Sequence, residues 1–188
     1  MKPGVIIGII AAAAVFVILL SSVIWTISTY NKLVKLEEDV DSDWAQVENQ
    51  YQRKIDLIPT LVATVEDYQE FEESTLTNIT DLRTRWMEAS GNEEEQLDIS
   101  NQLDTALRSI ILTYENYPYL QSIVAVSDLM VELEGTENRI TVERMRYNDG
   151  VREFNTKIKQ FPTVIIANSF GFDERSYFES DFAPDNPG

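Results

Sequence analysis

From Val5 to Ile27 the chain carries no charge and little polarity, in the run VIIGIIAAAAVFVILLSSVIWTI. As a helix, these residues rise roughly 34 Å at about 1.5 Å each, enough to cross a hydrocarbon core of about 30 Å. A membrane anchor is favoured over a cleaved signal peptide. The run exceeds the usual apolar region of a signal, and its alanines at 11–14 lie inside that region rather than after it. Trp25 and Tyr30 stand near the exit, where amphipathic rings prefer the membrane–water boundary. The sequence thus predicts a short N-terminus over 1–4 and a transmembrane helix over 5–29, with the lipid bilayer as a partner. Lys32 and Lys35 on the long side outnumber Lys2 on the short side, which favours a cytoplasmic body and an N-terminus outside.

Composition removes several function classes. The chain has 188 residues with no cysteine and no histidine. A disulfide scaffold, thiolate metal sites and His-based catalysis are therefore excluded. Fifteen Lys and Arg against 32 Asp and Glu give 15 − 32 = −17, a balance that repels nucleic acid. The acidic clusters at 37–43, 66–73 and 93–98 lack the spacing and turn glycine of a calcium loop, and read as solvated faces. No glycine-rich phosphate loop is present. We expect no catalytic residue, no cofactor, no metal and no nucleic-acid partner; the protein reads as a non-enzyme.

Beyond the span the pattern is helical. Leu33, Leu36, Val40, Trp44, Val47, Tyr51, Ile55, Ile58, Val62 and Val65 advance by three or four residues, about 3.56 per turn, close to a coiled-coil stripe. The stripe keeps phase through Pro59, which predicts a kinked but continuous helix at a cost of about 3 kcal/mol. Ile79, Leu82 and Trp86 extend the pattern toward Ala89. Asn92 before Glu93, Glu94 and Glu95 reads as an N-cap with acids in the first turn. Leu103, Leu107, Ile110, Tyr114 and Tyr117 form the next stripe, ended by Pro118. Gly135-Thr136 reads as a C-cap glycine followed by a new N-cap. The last long helix carries Ile140, Arg144, Tyr147, Val151, Phe154, Ile158 and Phe161, with Lys157 and Lys159 in its final turn and Pro162 after it. An acidic, aromatic tail over 163–188 follows, holding Phe170, Phe172, Tyr177, Phe178 and Phe182.

Several residues stand out as interaction candidates. Arg53 and Asp56, beside the Pro59 kink, either pair within the helix (i, i+3) or mark a docking surface. Arg144 falls in the apolar seam, which predicts a buried pairing with an acid of the first helix such as Glu48 or Asp56. Asn148 and Asn155, seven residues apart, share a helix face. They either fix register and oligomer state or flank the seam in water. Phe170, Phe172, Tyr177 and Phe178 either fold back onto the helices or await a partner.

Many short motifs together resemble one family. They are YNKLVKL (Tyr30 to Leu36), QRKIDLIPTLVATVEDY (Gln52 to Tyr68), ENYPYL (Glu115 to Leu120), GTENRI (Gly135 to Ile140), Arg146-Tyr147-Asn148, Phe161-Pro162, and Gly171-Phe172 with Tyr177-Phe178. In this order they resemble the LemA family of bacterial membrane-anchored helical proteins. The chain departs from that pattern in having Lys54 after Arg53 where two arginines are usual, and Thr60 where asparagine is usual. The resemblance implies an N-terminal membrane helix followed by antiparallel helices. The expected fold is all-α, with a bundle of three to four long helices over 30–162. A stripe from Leu33 to Ala89 would outrun the final helix. The expected function is therefore a membrane-anchored scaffold that self-associates as a homo-oligomer through long amphipathic helices. The alternative is a membrane-tethered sensor or adaptor that binds a protein partner through the bundle or the aromatic tail.

Overall fold

Apolar side chains every third or fourth residue, with no glycine among them, leave a long segment little choice but helix. The computed structural model describes residues 3–178, and helix α1 runs unbroken over Pro3–Val65. Pro59 lies inside it and faces solvent, between buried Ile58 and Leu61, so its ring points away from the packed stripe. The stripe stays in phase through the proline, as its spacing predicts.

The expected extension to Ala89 is not found. After Val65 the chain turns over 66–72, where the Tyr68 amide bonds the Val65 carbonyl at 3.0 Å and the Phe71 amide bonds the Tyr68 carbonyl at 3.1 Å. Helix α2 (Glu73–Glu88) follows. It runs back along α1, placing the Trp86 ring 6.4 Å from that of Tyr51. The acids around the turn are polar enough to leave the core, and Phe71 is buried to anchor it. Helix α3 (Glu93–Asn116) begins at the predicted cap: the Asn92 side chain accepts from the Glu95 amide at 3.3 Å. Trp86 donates its indole N–H to the Ser100 hydroxyl at 3.2 Å, which satisfies a buried donor.

Helix α3 stops before Pro118, the first residue of the short helix α4 (Pro118–Gln121). Helix α5 spans Val124–Lys159 and has Lys157 and Lys159 in its last turn, the sign that suits the helix dipole. Gly135 lies within α5, not at a cap. The reading as a cap fails because Thr136 turns its hydroxyl back to the Glu132 carbonyl at 2.9 Å, a bond that leaves the helix intact. The residues expected as tail begin with a sixth helix, α6 (Thr163–Phe170). All regular structure among the described residues is helical. Phe182 lies outside the described residues.

The chain divides into two compact units. The first comprises α1 through Ser42 and Asp149–Arg175. Here Leu33, Val40, Val151, Phe154 and Ile158 are buried. Gly171 takes φ +76, a left-handed turn that suits glycine. It ends α6 and buries Phe172, whose ring lies 6.4 Å from that of Phe154. The second unit comprises Asp43–Asn148 and, among the described residues, 176–178. Val47, Tyr51, Ile55, Ile58, Leu61 and Val65 of α1 are at most 1% exposed there. Most of the α1 stripe is thus covered within one chain. That corrects the expectation that it is left open for other copies: the return of α2 supplies the missing cover.

Candidate functional site

The buried stripes of the second unit carry charges at seam positions. Lys54 stands three residues after Tyr51 and four before Ile58. Asp104 stands seven after Leu97 and three before Leu107. Arg144 stands four after Ile140 and three before Tyr147. Helical spacing therefore turns all three inward, from α1, α3 and α5.

Asp104 is the hub of the resulting cluster. It accepts from the Lys54 ammonium at 2.6 Å, from the Tyr51 hydroxyl at 2.9 Å, and from the Arg144 guanidinium. Arg144 also donates to the Tyr51 hydroxyl, and Lys54 pairs with Glu137. Lys54 is 2% exposed, whereas Glu137 is 41% exposed, so the cluster runs from the core to the surface. Two cations and two carboxylates balance, which is what burial of charge requires. Burial, and next the Asp104 carboxylate, push the Tyr51 phenol well above its usual ionisation range; Arg144 opposes them.

Phe178 closes the cluster. Its ring lies 4.5 Å beneath the Arg144 guanidinium, 5.7 Å from Trp44, 5.5 Å from Tyr147 and 6.3 Å from Tyr51. A guanidinium over aromatic faces is attracted by the ring quadrupole. The backbone of Phe178 is held by Asn148, which donates to its carbonyl at 3.2 Å and accepts from its amide at 3.0 Å. In the first unit Asn155 holds Arg175 in the same way, at 2.8 and 2.9 Å. Arg175 further pairs with Asp41 at 2.6 Å.

The structure places the interaction candidates as follows. Arg144 is paired with an acid, but with Asp104 of α3 rather than with an acid of α1, from which it meets only the Tyr51 hydroxyl; Glu48 instead accepts from Gln96 at 3.3 Å. Asn155 is buried and Asn148 half-buried, and both side chains bond the backbone of the C-terminal segment. The Arg53–Asp56 pair does not form among the described residues; Asp56 accepts from Gln52 at 2.8 Å. Arg53 and Asp56 line a shallow groove with Val131, Gly135 and Arg139 of α5, a turn before Pro59. Phe172 and Phe178 are buried, while Phe170 and Tyr177 remain exposed. Asp104 and Glu137 were missed in the sequence, although both follow the seam spacing that singled out Arg144. Among the described residues, no three acidic side chains gather as metal ligands.

Helix α1 carries a segment long and apolar enough to cross a membrane, none of it buried. Relatives align over most of this chain and over two thirds to three quarters of their own length. Magnetosome protein MamQ 2 of Paramagnetospirillum magneticum is 28% identical over 93% of this chain and 75% of its own length. Magnetosome protein MamQ of Magnetospirillum gryphiswaldense is 26% identical over 84% of this chain and 67% of its own. Protein LemA of Metamycoplasma hominis is 20% identical over 80% and 68%. The LemA family profile matches residues 43–187, from the charged cluster through both asparagine clamps. That match, over most of an all-helical chain with an apolar N-terminal helix, shows that the chain belongs to the LemA family.

Proposed function

We propose that the protein is a non-enzymatic, membrane-anchored scaffold that associates with copies of itself through the outer face of α5, with α1 crossing the bilayer and the helical body on the cytoplasmic side. The observation that carries this reading is a series of exposed apolar side chains. Val124 is 72% exposed, Val131 66%, Met145 56% and Val142 40%. Their spacings of 7, 11 and 3 return to one face of a 3.6-residue helix. A single exposed valine means little, but an aligned series is how a helix offers itself to a partner.

The rim of this face supports a second copy as the occupant. Arg53 and Arg139 lie in the groove beside Asp56 and Glu132, so the rim carries both signs and a self-complementary contact can pair them. The amphipathic face expected for association therefore moves from α1 to α5. Such an interface works against a net charge of −17, which makes copies repel at long range. Added salt screens that repulsion over a Debye length of about 10 Å at 0.1 M.

Sedimentation of the full chain in mild detergent tests the reading. The wild type should exceed the mass of one chain and grow tighter with salt, and Val131→Glu with Met145→Glu should reduce it to a monomer. A wild type that stays monomeric at every concentration sinks self-association. A monomer that captures one different protein stoichiometrically supports the adaptor reading instead.

A further inference from the structure

We infer that α6 is an interfacial foot: a short apolar helix whose outer side rests in the bilayer surface beside the exit of α1. The inference rests on the reading that α1 spans the membrane. From Phe161 to Phe172 the sequence FPTVIIANSFGF has no charge, in a chain in which 25% of residues are charged. Thr163, Ile166 and Ala167 form the inward face of α6 and are buried. That accounts for only part of its apolar surface. Phe161 is 82% exposed, Ile165 55% and Phe170 57%. A soluble helix of this size would turn polar residues to water at such positions.

The position of α6 identifies what covers it. The Phe170 ring lies 4.9 Å from the Tyr30 ring, and Phe172 lies 5.7 Å from it. Tyr30 is three residues past Ile27, the last residue of the apolar run, a rise of about 4.5 Å. Trp25, on the last turns of the same run, is 40% exposed. One end of α6 is therefore fixed at the level where α1 leaves the hydrocarbon, within a single compact unit. At that depth the medium itself accepts aromatic and aliphatic side chains, with rings favoured at the headgroup boundary. The occupant is lipid, and the contact continues the lipid-facing surface of α1. Charge plays little part: the proposed surface is neutral, so a zwitterionic bilayer serves as well as an anionic one.

The absence of cysteine makes the test clean. Single cysteines at Phe161, Ile165, Ile18 and Arg152 are introduced into the full chain. Each is labelled with an environment-sensitive fluorophore and reconstituted in phosphatidylcholine vesicles containing lipids with a quencher at shallow or deep positions. All four side chains are exposed, so folding is not at issue. The labels at 161 and 165 should be quenched by the shallow lipid at least about threefold more than the label at 152, and the label at 18 by the deep one. If the label at 18 is quenched while those at 161 and 165 match 152, the foot is wrong and the span stands. An unquenched label at 18 removes the span and the foot together. Protection at 161 and 165 that rises with the protein-to-lipid ratio, without quenching, assigns the surface to a second copy and overturns the inference.

Discussion

Replacing Asp104 with asparagine keeps the shape of the hub and removes its charge. Lys54, 2% exposed, then keeps only Glu137 as a carboxylate partner, and Arg144 keeps none from the cluster. The cluster goes from neutral to one net positive charge inside the second unit. Breaking a buried pair from one side costs about 3–5 kcal/mol. Asp104 and Arg144 retain 18% and 19% exposure, which places the expected loss at the lower end, about 3 kcal/mol. For a chain of this size that lowers Tm by about 6–12 °C. Urea unfolding of the full chain in mild detergent, followed by Trp86 and Trp44 fluorescence, should show a lower midpoint at unchanged slope. Adding Lys54→Met to Asp104→Asn should recover part of the loss, because the cluster is neutral again and its most deeply buried cation is gone. Glu137→Gln, at an exposed member of the same cluster, should cost under about 1 kcal/mol. An Asp104→Asn loss below about 1 kcal/mol, or simple additivity with Lys54→Met, would refute the account of the cluster.

Three further outcomes follow from single residues. Tyr51 ionises in the folded chain only well above its unfolded range, so its contribution is complete below about pH 10 and is lost as pH rises further. Alkaline absorbance titration should show one fewer late-ionising tyrosine in Tyr51→Phe, and that variant should lose about 1–3 kcal/mol at neutral pH from its missing hydroxyl. Asn155→Ala should free the Arg175 amide to exchange with solvent and cost about 1–3 kcal/mol, whereas Asn155→Asp, which keeps the acceptor, should leave that amide partly protected. Gly135→Ala should stabilise α5 by about 0.5–1 kcal/mol, since nothing lies within 4 Å of the added Cβ. A destabilised Gly135→Ala variant in thermal melts would contradict its place in mid-helix.

What the sequence made legible was periodic. The stripe through Pro59, the Asn92 cap, the break at Pro118 and the basic last turn of α5 each follow from a local rule that nothing distant overrides. The reversal after Val65 was not legible, because neither Gly nor Pro marks it. Only polar residues around a buried Phe71 do, and apolar residues resume in plausible phase at Ile79. Gly135 misled because a glycine before threonine fits a cap as well as a helix interior. At the site, Arg144 was readable as a seam charge. Lys54, Asp104 and Glu137 obey the same spacing on their own helices, and reading the four together would have announced the cluster. The role of Asn148 and Asn155 was beyond periodicity: their partner is backbone that only the folded C-terminal segment brings near.

Self-association through α5 can be tested most directly inside intact membranes. A Val131→Cys chain, otherwise without cysteine, should form a disulfide-linked dimer under mild oxidation, because the proposed interface puts its two-fold axis beside Val131, near the middle of the exposed series, and only at such an axis do the two Cβ atoms come near the roughly 4 Å a disulfide needs. A Leu112→Cys control, also open to solvent but on α3, should not. No crosslink at 131, or equal crosslinking at both positions, would contradict the proposed interface.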